Sequence, residues 1–301
     1  MRLLHHLIAI SMAVLLKLVP AILLMAVLPM CKQKKAKVRT LPAIQTYDLQ
    51  RPYIINLHNE MNEISGLYFY AKDTSVFSIN DEEGYLYKLT VTNHATIQKW
   101  HFSFPADYED ISLVDSTFYV LRSNGTITSI YFIDKNKLEA TQYKPRLKGF
   151  NEFESLYYNP LQKKLVLLCK DCAIDDQNRL TAYSFDVAKN AFDAEPLYVI
   201  NIKTVADLMK KKKVKFKPSA AAIHPLTGEL YIVSSVNKAI VVAGQNGEVK
   251  GVYPINVKIF KQPEGMAFTP WGDLLISNEA TDVGLPNILV FKYNANSHAK
   301  R

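Results

Sequence analysis

Short apolar runs alternate with clusters of turn-forming residues through most of the chain, and the alternation is phased. Five times an acidic or small anchor leads into an apolar strand, a turn and a second apolar strand: Ser65-Gly66-Leu67, Glu109-Asp110-Ile111, Glu154-Ser155-Leu156, Ser219-Ala220-Ala221 and Glu264-Gly265-Met266. These anchors lie 44, 45, 65 and 45 residues apart. The turns keep step with them, at Lys72-Asp73-Thr74, Asp115-Ser116-Thr117, Asn159-Pro160-Leu161, His224 to Gly228, and Pro270 to Asp273. Gly, Pro, Asn and Asp supply tight-turn backbone angles, and Val, Ile, Leu, Tyr and Phe fit a pleated sheet. Second strands follow at Val76–Ile79, Phe118–Leu121, Leu165–Leu168, Leu230–Val233 and Leu274–Ile276, third strands at Tyr85–Leu89, Ile127–Phe132, Ala239–Val242 and Ile288–Tyr293, and fourth strands at Thr96–Phe102 and Val249–Ile255.

Four antiparallel strands in about 45 residues is the period of a β-propeller blade. Five anchors predict an all-β chain of five blades, or six if the 65-residue interval hides a degenerate unit. One short helical insertion is predicted in that interval, where Ile202, Val205, Leu208 and Met209 recur at helical spacing ahead of a lysine run. The segment Thr46 to Leu57 is expected to pair with Ile288–Tyr293, closing the ring and removing an open edge.

The N-terminal 30 residues follow another rule. Residues 3–30 are almost wholly apolar, broken by His5, His6, Lys17 and Pro20, and end at Cys31 and a lysine-rich stretch. That pattern reads as an export signal or membrane anchor. Cys31 resembles the lipidation cysteine of a bacterial lipoprotein, although Pro29 and Met30 stand where a small residue usually precedes it. An uncleaved helix is the alternative, with Lys17 costly at its middle. The organisation expected is signal or anchor over 1–31, basic tether over 32–45, propeller over 46–294 and a tail over 295–301. The body then lies in the cell envelope outside the cytoplasm, held to a membrane by lipid or helix.

The chain has 301 residues, 49% of them hydrophobic and 21% charged, which excludes a disordered or collagen-like chain and allows a full core. Its net charge of +8 suggests an acidic partner until it is located. Seven bases and no acids fall within residues 1–39, leaving the body about neutral, and Lys210 to Lys213, Lys215 and Lys217 form a local cluster. No nucleic-acid motif accompanies them, and no nucleic-acid partner is expected.

The ordered set Glu63-Ile64-Ser65-Gly66-Leu67, Ile79 to Tyr87, Tyr108-Glu109-Asp110-Ile111, Phe153-Glu154-Ser155-Leu156, His224 to Leu230 and Gln262-Pro263-Glu264-Gly265-Met266 resembles the SdiA-regulated family of bacterial exported proteins, relatives of NHL-repeat propellers. The resemblance runs from about 50 to 293. It implies a five-bladed propeller with a bound calcium ion, and no settled biochemical role. Cys169-Lys170-Asp171-Cys172 and the basic insertion depart from the family pattern.

Glu109, Glu154 and Glu264 open innermost strands, so their carboxylates should converge on the axis. Converging carboxylates need raised pKa values or a cation, and calcium, which takes several oxygen ligands at flexible geometry, suits them. Ser65 and Ser219 would assist. Alternatively, each glutamate caps its own blade and no metal binds. A second set, Asp81, Glu82, Arg122, Asn278 and Glu279, follows second strands and is expected on a ligand-binding rim, with Asp81 and Glu82 also readable as turn residues. Cys169 and Cys172 are expected to be structural, as free thiols or a local bridge; the histidines show no paired zinc spacing. No GxSxG, HExxH, P-loop or dinucleotide motif is present. Two functions fit: a calcium-binding module for a small ligand or an envelope protein, or a calcium-dependent hydrolase of the lactonase, phosphoesterase or phytase-like kind. The second lacks a histidine or lysine base at a repeat-equivalent position.

Overall fold

Strands apolar on both faces must be covered on both sides, and this chain meets the requirement by stacking sheets around a ring. The computed structural model describes residues 44–91, 96–282 and 284–295. The apolar N-terminal segment, Cys31, most of the basic tether and nearly all of the tail lie outside them. Among the described residues no helix is long and apolar enough to cross a membrane.

The strands in chain order are β1 Tyr53–Asn56, then β2 Ile64–Tyr70, β3 Ser75–Asn80, β4 Tyr85–Thr90 and β5 Ile97–His101 as the first blade. The second blade is β6 Tyr108–Val114, β7 Thr117–Arg122, β8 Ile127–Phe132 and β9 Leu138–Tyr143. The third is β10 Asn151–Asn159, β11 Lys164–Cys172 and β12 Arg179–Asp186, with β13 Ala191–Phe192 and β14 Tyr198–Asn201 both paired to β12. After the helix α1 Ile202–Leu208 come the fourth blade, β15 Ala220–Ile223, β16 Leu230–Ser234, β17 Ala239–Ala243 and β18 Val249–Pro254, and the fifth, β19 Pro263–Phe268, β20 Leu274–Asn278 and β21 Asn287–Phe291. Strand β1 completes the fifth blade antiparallel to β21, pairing Tyr53 with Val290 and Asn56 with Asn287.

The ring therefore has five blades of antiparallel strands. The 65-residue interval holds no sixth unit: its extra length is the split fourth strand of the third blade plus α1. That helix covers the predicted spacing from Ile202 to Leu208. Asn201 Oδ1 caps it by accepting from the N–H groups of Lys203 and Thr204, and it stops at Met209, after which Lys210 turns left-handed at φ 55°.

Five buried clusters fill the five gaps between neighbouring blades. Along β16, Leu230 and Ile232 face the third blade while Tyr231 and Val233 face the fifth. This two-sided burial is why the strands read as continuous apolar runs. The first hairpin of every blade also closes through one left-handed residue, namely Thr74, Asp115, Lys163, Gly228 and Gly272. Only two are glycine, so the phased turns share a geometry more strictly than a composition.

Candidate functional site

In each blade the first strand starts where the antiparallel second strand ends. Ile64 pairs with Asn80, Tyr108 with Arg122 and Pro263 with Asn278. The axial anchors and the residues expected on a rim consequently occupy the same end of the ring and form one acidic mouth.

Three of the anchors sit at β-bulges. The pairing of β6 with β7 skips from Tyr108 to Asp110, that of β10 with β11 from Phe153 to Ser155, and that of β19 with β20 from Pro263 to Gly265, leaving Glu109, Glu154 and Glu264 out of the ladder. A bulge re-aims the side chain it carries. Burial, followed by the charges of Glu154 and Asp107, raises Glu109 to about 10. Burial and then Glu154 raise Glu264 to about 8, opposed by hydrogen bonds from Ser219 and Ser235. Burial also raises Glu154, where Lys170 pulls the other way.

Lys170 is the resident cation of this field. The pairing of β10 with β11 runs from Glu152 and Asp171 to Phe153 and Cys169, so Lys170 is itself left out of the ladder. Its ammonium lies 2.6 Å from Glu152 Oε1 and also pairs with Glu154. Burial would lower the lysine pKa, but the hydrogen bonds that the ammonium donates to Glu152 and Glu154 outweigh it and hold the value above normal. The disulfide Cys169–Cys172 brackets this segment, so the two cysteines form the local bridge.

The tightest set of oxygen donors lies beside the expected trio. Among the described residues, Glu63, Asp81 and Glu279 bring a carboxylate oxygen each to within 4.8 Å of one another, whereas Glu109, Glu154 and Glu264 form no such set. The anchors have partners of their own: Glu154 pairs with Lys170, Glu264 takes serine hydroxyl hydrogen bonds, and Glu109 is bonded to Asp107, a contact that raises it further. In the Glu63 set, Gln262 Nε2 donates to Glu279 Oε2. Burial, then Glu264, Asp81 and Glu63, raise Glu279 to about 9; burial, then Glu63, Glu82 and Asp107, raise Asp81 to about 6. Asp81 Oδ1 is buried with no hydrogen-bond partner. Three hard oxygen donors, one of them orphaned, fit calcium.

Backbone bonds within the first blade and across the join to the last assemble this set. Ala280 N–H donates to Asn62 O at 2.8 Å, tying the last blade to the first, and Asp81 N–H donates to Glu63 O at 3.1 Å. Sequence reasoning had placed Asp81 and Glu279 on a rim and passed over Glu63, whose only local signal is an acid immediately before a first strand. It also passed over Lys170, although the Cys169 to Cys172 segment stood out as a departure.

The other rim residues divide. Glu82 is exposed, and its N–H donates to Asn80 Oδ1 at 2.9 Å in the turn. The Arg122 guanidinium lies 5.9 Å from the Tyr108 ring centre. Asn278 is fully buried and donates through Nδ2 to Ile259 O and Asn287 Oδ1, a cross-strand bracing role.

Asp110, on the innermost strand of the second blade, is fully buried and accepts from Ile111 N–H at 2.8 Å and Leu156 N–H at 2.7 Å. A Cβ on Gly66 would stand 2.8 Å from Asp110 Cα, so the innermost strands of the first two blades are in direct contact.

Several solved structures share the architecture. Glutaminyl cyclase from Myxococcus xanthus aligns with TM-score 0.53 at 15% identity, covering 80% of this chain and 94% of that one. The PQQ-bound aldose sugar dehydrogenase of Streptomyces coelicolor aligns with TM-score 0.51 at 11% identity, covering 84% and 100%. Regucalcin from Agrobacterium tumefaciens, described as a calcium-binding protein, gives TM-score 0.48 at 15% identity, covering 83% and 95%. At such identities the likeness concerns the fold alone. No curated protein matches the sequence. A family model, by contrast, matches residues 46–288, the whole of the ring apart from its last few residues, and on that match the chain belongs to the SdiA-regulated family.

Proposed function

We propose that this protein is a cell-envelope calcium-binding propeller whose acidic mouth recognises a small ligand or a protein partner, with the ion held by Glu63, Asp81 and Glu279. The observation that carries the reading is the approach of those three carboxylates with Asp81 Oδ1 left unpartnered. Calcium bound there would neutralise charge that the fold otherwise confines, and its remaining coordination positions would be free for a ligand oxygen. The envelope location rests on the apolar segment 3–30 and on a disulfide, which persists in oxidising compartments. Attachment to the membrane, through a lipid on Cys31 or an uncleaved helix, belongs to the same proposal.

Calorimetric titration of the full chain with calcium tests it. One site is expected, lost in Glu279→Gln and Asp81→Asn and retained in Glu264→Gln. Loss in Glu264→Gln with retention in Glu279→Gln would move the ion to the anchor carboxylates. Absence of binding in the parent chain would end the calcium reading. Turnover of an ester, lactone or phosphate substrate by the calcium-loaded protein would replace the binding module with the hydrolase.

A further inference from the structure

The far end of the axis carries a second cavity, separate from the acidic mouth. All five innermost strands contribute to it with their later residues, and its volume is about 610 Å³. No Asp, Glu, Lys or Arg lines it, in a chain of which 21% is charged. Its walls are aromatic and aliphatic, including Tyr68, Tyr158 and Phe268.

The opening has a cause in the sequence. Where the other blades place Leu67-Tyr68-Phe69, Ile111-Ser112-Leu113, Leu156-Tyr157-Tyr158 and Met266-Ala267-Phe268, the fourth blade places Ala221-Ala222-Ile223. Ala221 stands where the other blades carry Leu67, Ile111, Leu156 and Met266, and Ala222, like Ser112 and Ala267, is small where two blades carry tyrosine. Below this level the innermost strands of the first and second blades meet at Gly66 and Asp110.

Two lining residues carry buried polar atoms without partners, Gln245 Oε1 and His224 Nε2. His224 is fully buried, and its Nδ1 accepts from the N–H groups of Leu226 and Thr227. The proton of the neutral ring is thereby assigned to Nε2, a donor left unused. Gln245 commits its Nε2 to Gly228 O at 2.8 Å, which leaves Oε1 as an unused acceptor. An unpartnered buried polar group is costly; both atoms lie just behind the cavity wall, and a ligand bearing one donor or acceptor would relieve one of them after a local side-chain shift.

We infer that this cavity binds a small, uncharged, chiefly apolar or aromatic molecule with one hydrogen-bonding group. Its volume falls within the range of about 300–1,000 Å³ typical of small-molecule sites, as does the pattern of apolar walls with a few polar groups. This site is independent of the calcium reading.

Titration of the full chain with the uncharged fluorophore N-phenylnaphthylamine tests the inference, read as emission enhancement and run with calcium and with a chelator. Saturable binding at one site is expected under both conditions. Ala222→Leu, which fills the cavity from a partly exposed position, should weaken it about tenfold or more without lowering Tm, and Gln245→Leu should weaken it severalfold. Val236→Ser, at an exposed turn outside the cavity, should leave it nearly unchanged. Non-saturating enhancement, indifference to Ala222→Leu, or loss in Val236→Ser alone would each overturn the inference, the last by assigning the probe to an external apolar patch. If Ala222→Leu fails to fold, Gln245→Leu against Val236→Ser makes the same distinction.

Discussion

The ammonium of Lys170 stands 2.6 Å from Oε1 of Glu152, and the same nitrogen pairs with Glu154. One lysine, lifted out of its strand at an irregularity in the ladder, therefore supplies the positive charge against which the third blade can bury acids. Lys170→Met should lower stability by about 1–3 kcal/mol, the range for losing hydrogen bonds to a charged partner. Urea unfolding checks it, and an unchanged midpoint would show that the pair contributes nothing net.

The disulfide closes a very short loop around that lysine. On the loop-entropy account, replacing Cys169 and Cys172 together by serine should cost about 2 kcal/mol. Adding Lys170→Met to this variant should cost less than the two effects summed, because the bridge and the ion pair hold the same segment. Strict additivity in the triple variant would separate their roles.

The contact between the first two blades gives a sharper prediction. Gly66 has φ +59°, and a Cβ there would meet Asp110 Cα and Ile111 N at 2.8 Å. Gly66→Ala should cost more than about 3 kcal/mol, since backbone on a neighbouring blade cannot swing aside. Asp110→Ala would strand the N–H groups of Ile111 and Leu156, at about 1–3 kcal/mol for each buried donor left unpaired. Thermal unfolding of both variants, with Gly84→Ala excluded from the comparison because it meets Ser103 instead, provides the measurement.

Stability should fall as pH rises in the absence of calcium. Glu264 and Glu109 are raised from 4.5 to about 8 and about 10, so in the folded protein each keeps a proton that the unfolded chain has already released. A folded state that binds more protons gains stability as pH falls. The contribution is complete below about pH 4.5 and is lost progressively up to pH 8 for Glu264 and pH 10 for Glu109. Because neighbouring acids share one field, a net loss of about 2 kcal/mol between pH 5 and 9, or roughly 4–8 °C in Tm, is expected. A flat Tm across that window would remove the prediction, and calcium should restore more stability at pH 8 than at pH 5.

The blades were legible because their signals are local and repeated: strands apolar on both faces, and turns such as Asp115-Ser116 and Pro270 to Asp273 in constant phase with the anchors. Closure by the segment Thr46 to Leu57 could be reasoned from the need to cover an edge, and β1 falls within it. The candidate site was legible only in part. Glu109, Glu154 and Glu264 were visible as acids opening strands, but the bulges that displace them depend on pairing across the sheet. Glu63 meets Glu279 only because the last blade bonds to the first, through Ala280 and Asn62, a relation with no trace in either segment alone. Lys170 was hidden for the same reason, since nothing in Cys169 to Cys172 states which neighbours its ammonium will find.

Ring closure by β1 also sets an order of events. The strand made earliest pairs with β21, among the last segments to be synthesised, across nearly the whole chain. Until β21 exists, β1 has no partner and the growing ring has two open edges able to pair with another molecule. The chain must therefore hold its first strand in reserve through the assembly of four blades, and shortening it at either terminus would produce the same defect: an unlatched fifth blade.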